Sequence, residues 1–246
     1  MKTMQTTLGL RVRLGFCVLA LSGLTGLAQT PALPAPVEGG KKIPEQNKQF
    51  QDSSLDVDSY KNRFETESRE VFANRNALVA ALKLKPGQRV ADIGAGTGAF
   101  TQPMLQAVTA SGHYFAVDIS PRFLELIRKR ADEAGQNNVT TILGGAHHTT
   151  LPVNSIDAAF ICDTYHHFEK PSSVMGSLFA ALKKGGTLVV VDFIREPGKS
   201  SAFSLEHIRA SQAVFRQEIE GIGFRYKEDV KVEGLKENYC MRFVKP

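Results

Sequence analysis

VADIGAGTGAF, Val90 to Phe100, decides the fold of this chain. An apolar run meets three glycines at alternate positions, Gly94, Gly96 and Gly98, and apolar residues resume at once with Ala99 and Phe100. Glycine has no Cβ, so the chain can turn tightly there and present bare backbone N–H groups to a ligand. The spacing predicts a strand, a turn and the start of a helix. The same letters fit G-x-G-x-x-A through Gly94, Gly96 and Ala99, the dinucleotide fingerprint whose third position tolerates Ala. Asp118 follows 24 residues after Gly94 at the end of the next apolar run, where a carboxylate can accept both hydroxyls of a ribose. Turn and carboxylate together specify a nucleoside-bearing ligand at the carboxyl ends of parallel strands.

Outward from the turn, short apolar strands alternate with helical patterns, the sign of a doubly wound α/β fold with helices on both faces of a parallel sheet. The predicted strands are Arg89–Ile93, His113–Val117, Val139–Leu143, Ile156–Ile161 and Thr187–Phe193, with Ser120 capping one intervening helix and Pro121 at its first position. Upstream, Asp58 or Ser59 can cap a helix running to about Leu82. Downstream, Leu205, Ile208, Phe215, Ile219 and Ile222 share one face of a helix expected from about Ser204 to Gly223. Two last strands, about Phe224–Val232 and Tyr239–Val244, read as an antiparallel pair.

The chain resembles the class I S-adenosylmethionine-dependent methyltransferases. Asp92 stands two positions before the first glycine of GAGTG, and VDIS, Val117 to Ser120, closes the second strand. LPVNSIDAAF (Leu151 to Phe160), HHF (His166 to Phe168) and ALKKGGTLVVVD (Ala181 to Asp192) are similar to the branch containing ubiquinone- and menaquinone-biosynthesis enzymes and other small-molecule methyltransferases. The resemblance covers roughly residues 60 to 246 and implies a seven-stranded sheet ordered 3-2-1-4-5-7-6 with strand 7 antiparallel. It implies S-adenosyl-L-methionine as cofactor and methyl transfer to a small molecule. Carried over, Asp92, Gly94, Ala95, Gly96, Gly98, Asp118, Ile119 and Asp163 are the expected cofactor contacts. The acidic residue that commonly meets adenine after strand 3 is missing, because the chain there reads Gly144-Gly145-Ala146. No N-P-P-Y or D-P-P-Y follows strand 4, which argues against planar amides and base amines as targets. The competing readings are an NAD(P)-dependent oxidoreductase, which the glycine pattern also fits, and a non-catalytic exported protein that binds a nucleoside ligand.

After strand 4 the chain reads Cys162-Asp163-Thr164-Tyr165-His166-His167-Phe168, where ligands gather in open α/β sheets. Methyl transfer requires alignment of donor and acceptor and, for a protonated acceptor, loss of a proton. His166 or His167 is the expected base, with Tyr165 and Asp163 orienting the acceptor; packing of both histidines is the structural alternative. His147-His148 makes a second doublet, but strands 2 and 1 separate it from the first, so no shared metal ion is expected. Arg195, His207 and Arg209 could meet an anionic acceptor or form surface ion pairs, and Tyr60 and Arg63 could close the site from the N-terminal side.

The formal charge of +5 hints at nucleic acid until it is located. Lys2, Arg11 and Arg13 precede the uncharged run Leu14–Leu27, and without those three the chain carries 27 basic against 25 acidic residues. An apolar run of 14 residues is shorter than the roughly 20 that span a bilayer, so it reads as an export signal cleaved near Ala28. The expected organisation is a signal at 1–28, a flexible Pro- and Gln-rich tether at 29–57 and a methyltransferase domain at 58–246. A periplasmic location follows, with no stable membrane span and no nucleic-acid partner; an uncleaved N-terminal anchor is the alternative. Cys162 and Cys240 fall on strands 4 and 7, with strand 5 between, and are expected to be free thiols.

Overall fold

A computed structural model of the chain describes residue 1 and residues 43–246. The expected signal segment lies outside the described residues. Seven strands form one sheet: β1 (Arg89–Ile93), β2 (His113–Asp118), β3 (Val139–Leu143), β4 (Ile156–Cys162), β5 (Leu182–Phe193), β6 (Arg225–Asp229) and β7 (Asn238–Val244). Their order is β3-β2-β1-β4-β5-β7-β6, with β7 antiparallel to both of its neighbours and the first five strands parallel, as the resemblance implied.

The central strands are apolar on both faces because helices cover both. Val90, Ala116, Ala158, Phe160, Val189 and Val191 point into one core with α4 (Arg75–Ala80), α5 (Thr101–Val108) and α6 (Pro121–Glu133). Their neighbours Ala91, Val117, Ala159, Ile161, Leu188 and Val190 point into the other, with α7 (Pro171–Ala181) and α9 (Gln212–Ile222). β1 runs beside β2 on one edge and β4 on the other, so the connections diverge between β1 and β4, where such sheets open a ligand crevice.

Three expectations need correction. The tether does not extend to residue 57: Ile43–Gln51 forms helix α1, whose Asn47 donates from Nδ2 to the backbone oxygen of His167 at 2.9 Å. Phe50 in the same helix meets the rings of Tyr60, Phe123 and His167, so these few large side chains supply the burial that a disordered segment lacks. The predicted helix over 58–82 is three short ones, α2 (Val57–Phe64), α3 (Glu70–Ala73) and α4. Asp56, not Asp58 or Ser59, is the cap, accepting from the Ser59 amide at 3.1 Å. The polar stretch Glu65–Ser68 breaks the helix while Glu65 takes two bonds from Arg130, at 2.8 and 3.2 Å. The predicted helix from Ser204 is likewise split, into α8 (Ala202–His207) and α9. Between them Ile208 and Ser211 are extended, and Arg209 turns inward to Glu218 with bonds of 2.7 and 2.5 Å.

Cys162 and Cys240 are free thiols. Both face Val191 in register, from opposite sides of β5, which separates them by two inter-strand steps of about 4.8 Å.

Candidate functional site

The glycine turn needs its glycines. Gly94, Gly96 and Gly98 have φ of +78, +54 and +85°, a region that favours glycine. A Cβ on Gly94 would lie 2.3 Å from the Thr164 side chain, so this glycine also lets the ends of β1 and β4 approach. Val117 O accepts from the amides of Gly94 and Ala95, at 2.7 and 3.1 Å, which ties the turn to β2.

Asp118 stands at the tip of β2. Its Oδ2 accepts from the Gly96 amide and its Oδ1 from the Ser120 amide, each at 2.8 Å. Burial pushes its carboxyl up to about 6 against the pull of these amides. Asp92 sits beneath the turn, accepts from the Tyr114 hydroxyl at 3.0 Å, and is pushed by burial up to about 7. Beside it Thr97 Oγ1 is buried without a hydrogen-bond partner, in a recess lined also by Gly94, Ala95, Gly96 and Asp163.

A cleft of about 830 Å³ opens over the turn. Gly94, Gly96, Asp118, Ile119 and Asp163 line it, with Asn47 and Phe50 of α1 and Phe64 of α2 opposite. At the β3 end its walls are Gly144, Gly145, Ala146, His148 and Thr149, so His148 and Thr149 supply the polar side chains where the expected acidic residue is missing. Asp163 marks the junction with a second recess of about 740 Å³, lined by Tyr60, Arg63, Arg69, His166, His167, Phe193, Phe203 and His207.

Asp163 adopts φ +48°, a left-handed conformation costly for a residue with a Cβ. Arg69 donates to its Oδ2 and Asn238 to its Oδ1, both at 2.6 Å, which holds the carboxylate between the two cavities. Burial raises its pKa and Arg69 opposes that rise. Neither partner was visible as a site residue in the sequence: Arg69 precedes α3 where the predicted helix breaks, and Asn238, read there as part of a link, begins β7.

The turn Tyr165–His167 sends Tyr165 into the core and keeps the His166 and His167 rings together, with centroids 4.3 Å apart. Tyr165, expected to orient the acceptor, lines neither cavity; it is fully buried, donates to Glu218 at 3.0 Å and packs on Phe215. His166 is also buried, with its Nδ1 2.7 Å from Asp192 Oδ1. Asp192 accepts as well from the amides of His166, at 3.1 Å, and Phe193, at 2.8 Å. His167 borders both cavities, and burial pushes it down to about 2, so it is neutral at neutral pH and a poor base. His207, at the end of α8, brings a third imidazole to the pair. Arg195 and Arg209 do not line the second recess: one donates to Leu205 O and the other is held by Glu218 against the Tyr165 and Phe215 rings. His147 is exposed and lines neither cavity.

Three comparisons agree with this geometry. Over 110 residues the chain is 31% identical to the ubiquinone/menaquinone biosynthesis C-methyltransferase of Vibrio cholerae, a match covering 44% of this chain and 42% of that one. Over 130 residues it is 32% identical to the phosphoethanolamine N-methyltransferase of Triticum aestivum, covering 50% and 24%. The matched region spans less than half the length of these curated relatives. A solved structure described as a SAM-dependent methyltransferase from Aquifex aeolicus superposes with a TM-score of 0.69 at 21% identity, over 78% of this chain and 99% of that one. Residues 91–190 match the family described as Methyltransferase domain, on a sheet with the strand order of the Rossmann-like class I methyltransferase fold.

Proposed function

We propose that this chain transfers a methyl group from S-adenosyl-L-methionine to a small-molecule acceptor. The observation that carries this is the placement of Asp118 beside the glycine turn, at the mouth of a cleft that continues past Asp163 into a separate recess. The residues present fit the cofactor. Asp118 offers a carboxylate to a ribose, the positive-φ glycines leave room for close approach, and the unpartnered Thr97 Oγ1 beside Asp92 suits the amino-acid end. When bound, the cofactor supplies an electrophilic methyl on a sulfonium. The chain's own contribution is alignment: Asp163, fixed by Arg69 and Asn238, stands where the two cavities meet.

The acceptor recess is lined by aromatic rings and imidazoles, with Arg63 and Arg69 at its wall, which suits a small, partly apolar molecule rather than a nucleic-acid backbone. His167 is too weakly basic to remove a proton at neutral pH. His166 turns Nδ1 toward Asp192, 2.7 Å away, and its ring borders the recess. The oxidoreductase reading is opposed by the antiparallel β7, which a simple dinucleotide-binding sheet does not contain. Export to the periplasm is supported by the basic start and the 14-residue apolar run, and no helix among the described residues is long and apolar enough to cross a membrane.

Calorimetry of the full chain with S-adenosylmethionine, S-adenosylhomocysteine and NADH tests the cofactor. The first two should bind at micromolar level or better, NADH should not, and Asp118→Ala should abolish binding. A wild-type chain that binds neither adenosyl ligand contradicts the proposal.

A further inference from the structure

We propose that His166, His167 and His207 form a binding site for one divalent transition-metal ion of the zinc class, with its open coordination position facing the acceptor recess. One ring nitrogen from each lies within 4.8 Å of the others, and the three ring centroids are 4.3, 5.0 and 5.1 Å apart. Three protein ligands plus an open fourth position is the arrangement of catalytic zinc sites, and neutral imidazole nitrogen suits zinc, cobalt, nickel and copper. Around a tetrahedral ion with Zn–N of about 2.0 Å, ligand nitrogens sit about 3.3 Å apart, so the cluster closes through shifts of about 1 Å. His207 can supply most of that movement, being only partly buried at the end of a six-residue helix.

The surroundings favour an ion over simple packing. Asp192, itself fully buried, lies 2.7 Å from His166 Nδ1, the carboxylate–histidine pairing found behind metal ligands. Among the described residues no hydrogen bond joins the three rings to one another, and His167 Nδ1 is buried without a partner. A cation shared by the three rings gives a partner to ring nitrogen that the protein leaves unmatched. Arg63 lies near His207 and opposes a cation, but Asp192 sits behind His166, and Arg69 is neutralised by Asp163 at 2.6 Å. The ion would hold an acceptor through an anionic oxygen, nitrogen or sulfur, whose proton is lost to water on coordination. That use rests on the methyl-transfer reading, whereas the ion site does not.

The full chain, purified without a histidine tag and stripped with chelator, is dialysed against Zn²⁺ or Co²⁺ and its metal counted by plasma mass spectrometry. About one ion per chain is expected, with the intense visible bands of four-coordinate cobalt in the Co²⁺ form. His207→Ala and His167→Ala should lose the ion and His147→Ala should keep it, each checked for folding by circular dichroism. Asp192→Asn should bind Zn²⁺ about 10- to 100-fold more weakly. Less than about a tenth of an ion per wild-type chain, or unchanged occupancy in His207→Ala, overturns the site. S-adenosylmethionine calorimetry on the same samples separates the two readings: cofactor binding without the ion overturns only the metal site, and the ion without cofactor binding overturns only the methyltransferase.

Discussion

At Asp118 two backbone amides already hold a carboxylate that burial pushes up to about 6, so ligand binding there is tied to its ionisation. Ribose hydroxyls donate, and a protonated carboxyl has lost acceptor capacity. The affinity for S-adenosylmethionine should therefore be level above pH 7 and weaken below about 6, approaching tenfold per pH unit, in calorimetry between pH 5 and 8. An affinity independent of pH over that range would remove Asp118 from the binding step. At Gly94 the strain has two parts, φ of +78° and a Cβ site 2.3 Å from Thr164. Gly94→Ala should destabilise the chain by about 1 to 3 kcal/mol in denaturant titrations, and a second change, Thr164→Ala, should relieve only the clash. Full recovery in the double variant would show that the backbone conformation carries no cost. The glycines and Asp118 were legible from spacing because a turn with an acidic partner at that distance has few other uses. Arg69, Asn238 and Asp192 were not, since each meets its partner only in the folded chain, across 94, 75 and 26 residues of sequence.

At the scale of elements, α1 is the piece that pattern reading assigned to the tether. Its helix is short and polar, and Asn47 and Phe50 commit it to the site through His167 O and the rings of Tyr60, Phe123 and His167, while Gln49 accepts from the Tyr60 hydroxyl at 3.2 Å. Both side chains line the cofactor cleft. Phe50→Ala should weaken S-adenosylmethionine binding about tenfold, equivalent to about 1.4 kcal/mol, with little change in melting temperature, because the sheet does not depend on this helix. A large loss of melting temperature would instead make α1 part of the core. The first four strands, by contrast, were readable to within a residue, the central ones because they are short and apolar on both faces; β5 begins at Leu182, five residues before the expected Thr187, and β6 ends at Asp229, short of the expected Val232. The long helices failed for the opposite reason. Apolar periodicity continued across Glu65–Ser68 and across Ile208–Ser211, but local bonds at Glu65, and the pull of Glu218 on Arg209, turned the chain. That second break is what delivers His207 to the other two imidazoles.

For the whole molecule, buried carboxyls make stability depend on pH. The folded chain keeps a proton on Asp92 up to about 7, against an ordinary carboxylate value of 3.8, so the unfolded state releases it first and stability falls as pH rises from about 4 through 7. His167, pushed down from 6.5 to about 2, acts oppositely below 6.5, since the unfolded chain takes up a proton there. Asp92→Asn should isolate the first effect: relative to wild type, its thermal stability should improve steadily between pH 4 and 7 and level off above. A constant difference across that range would mean that Asp92 is ionised throughout. The sequence by itself determined the sheet, its switch point and the nucleoside end of the cleft, because periodicity, glycine geometry and strand-end position are local properties that survive any packing. Only the tertiary structure decided which side chains share the acceptor recess. His166, His167 and His207 are separated by up to 41 residues along the chain, and Asp163 takes its partners from positions 94 residues before and 75 after it, so the site is made by where the strands stop and the helices break.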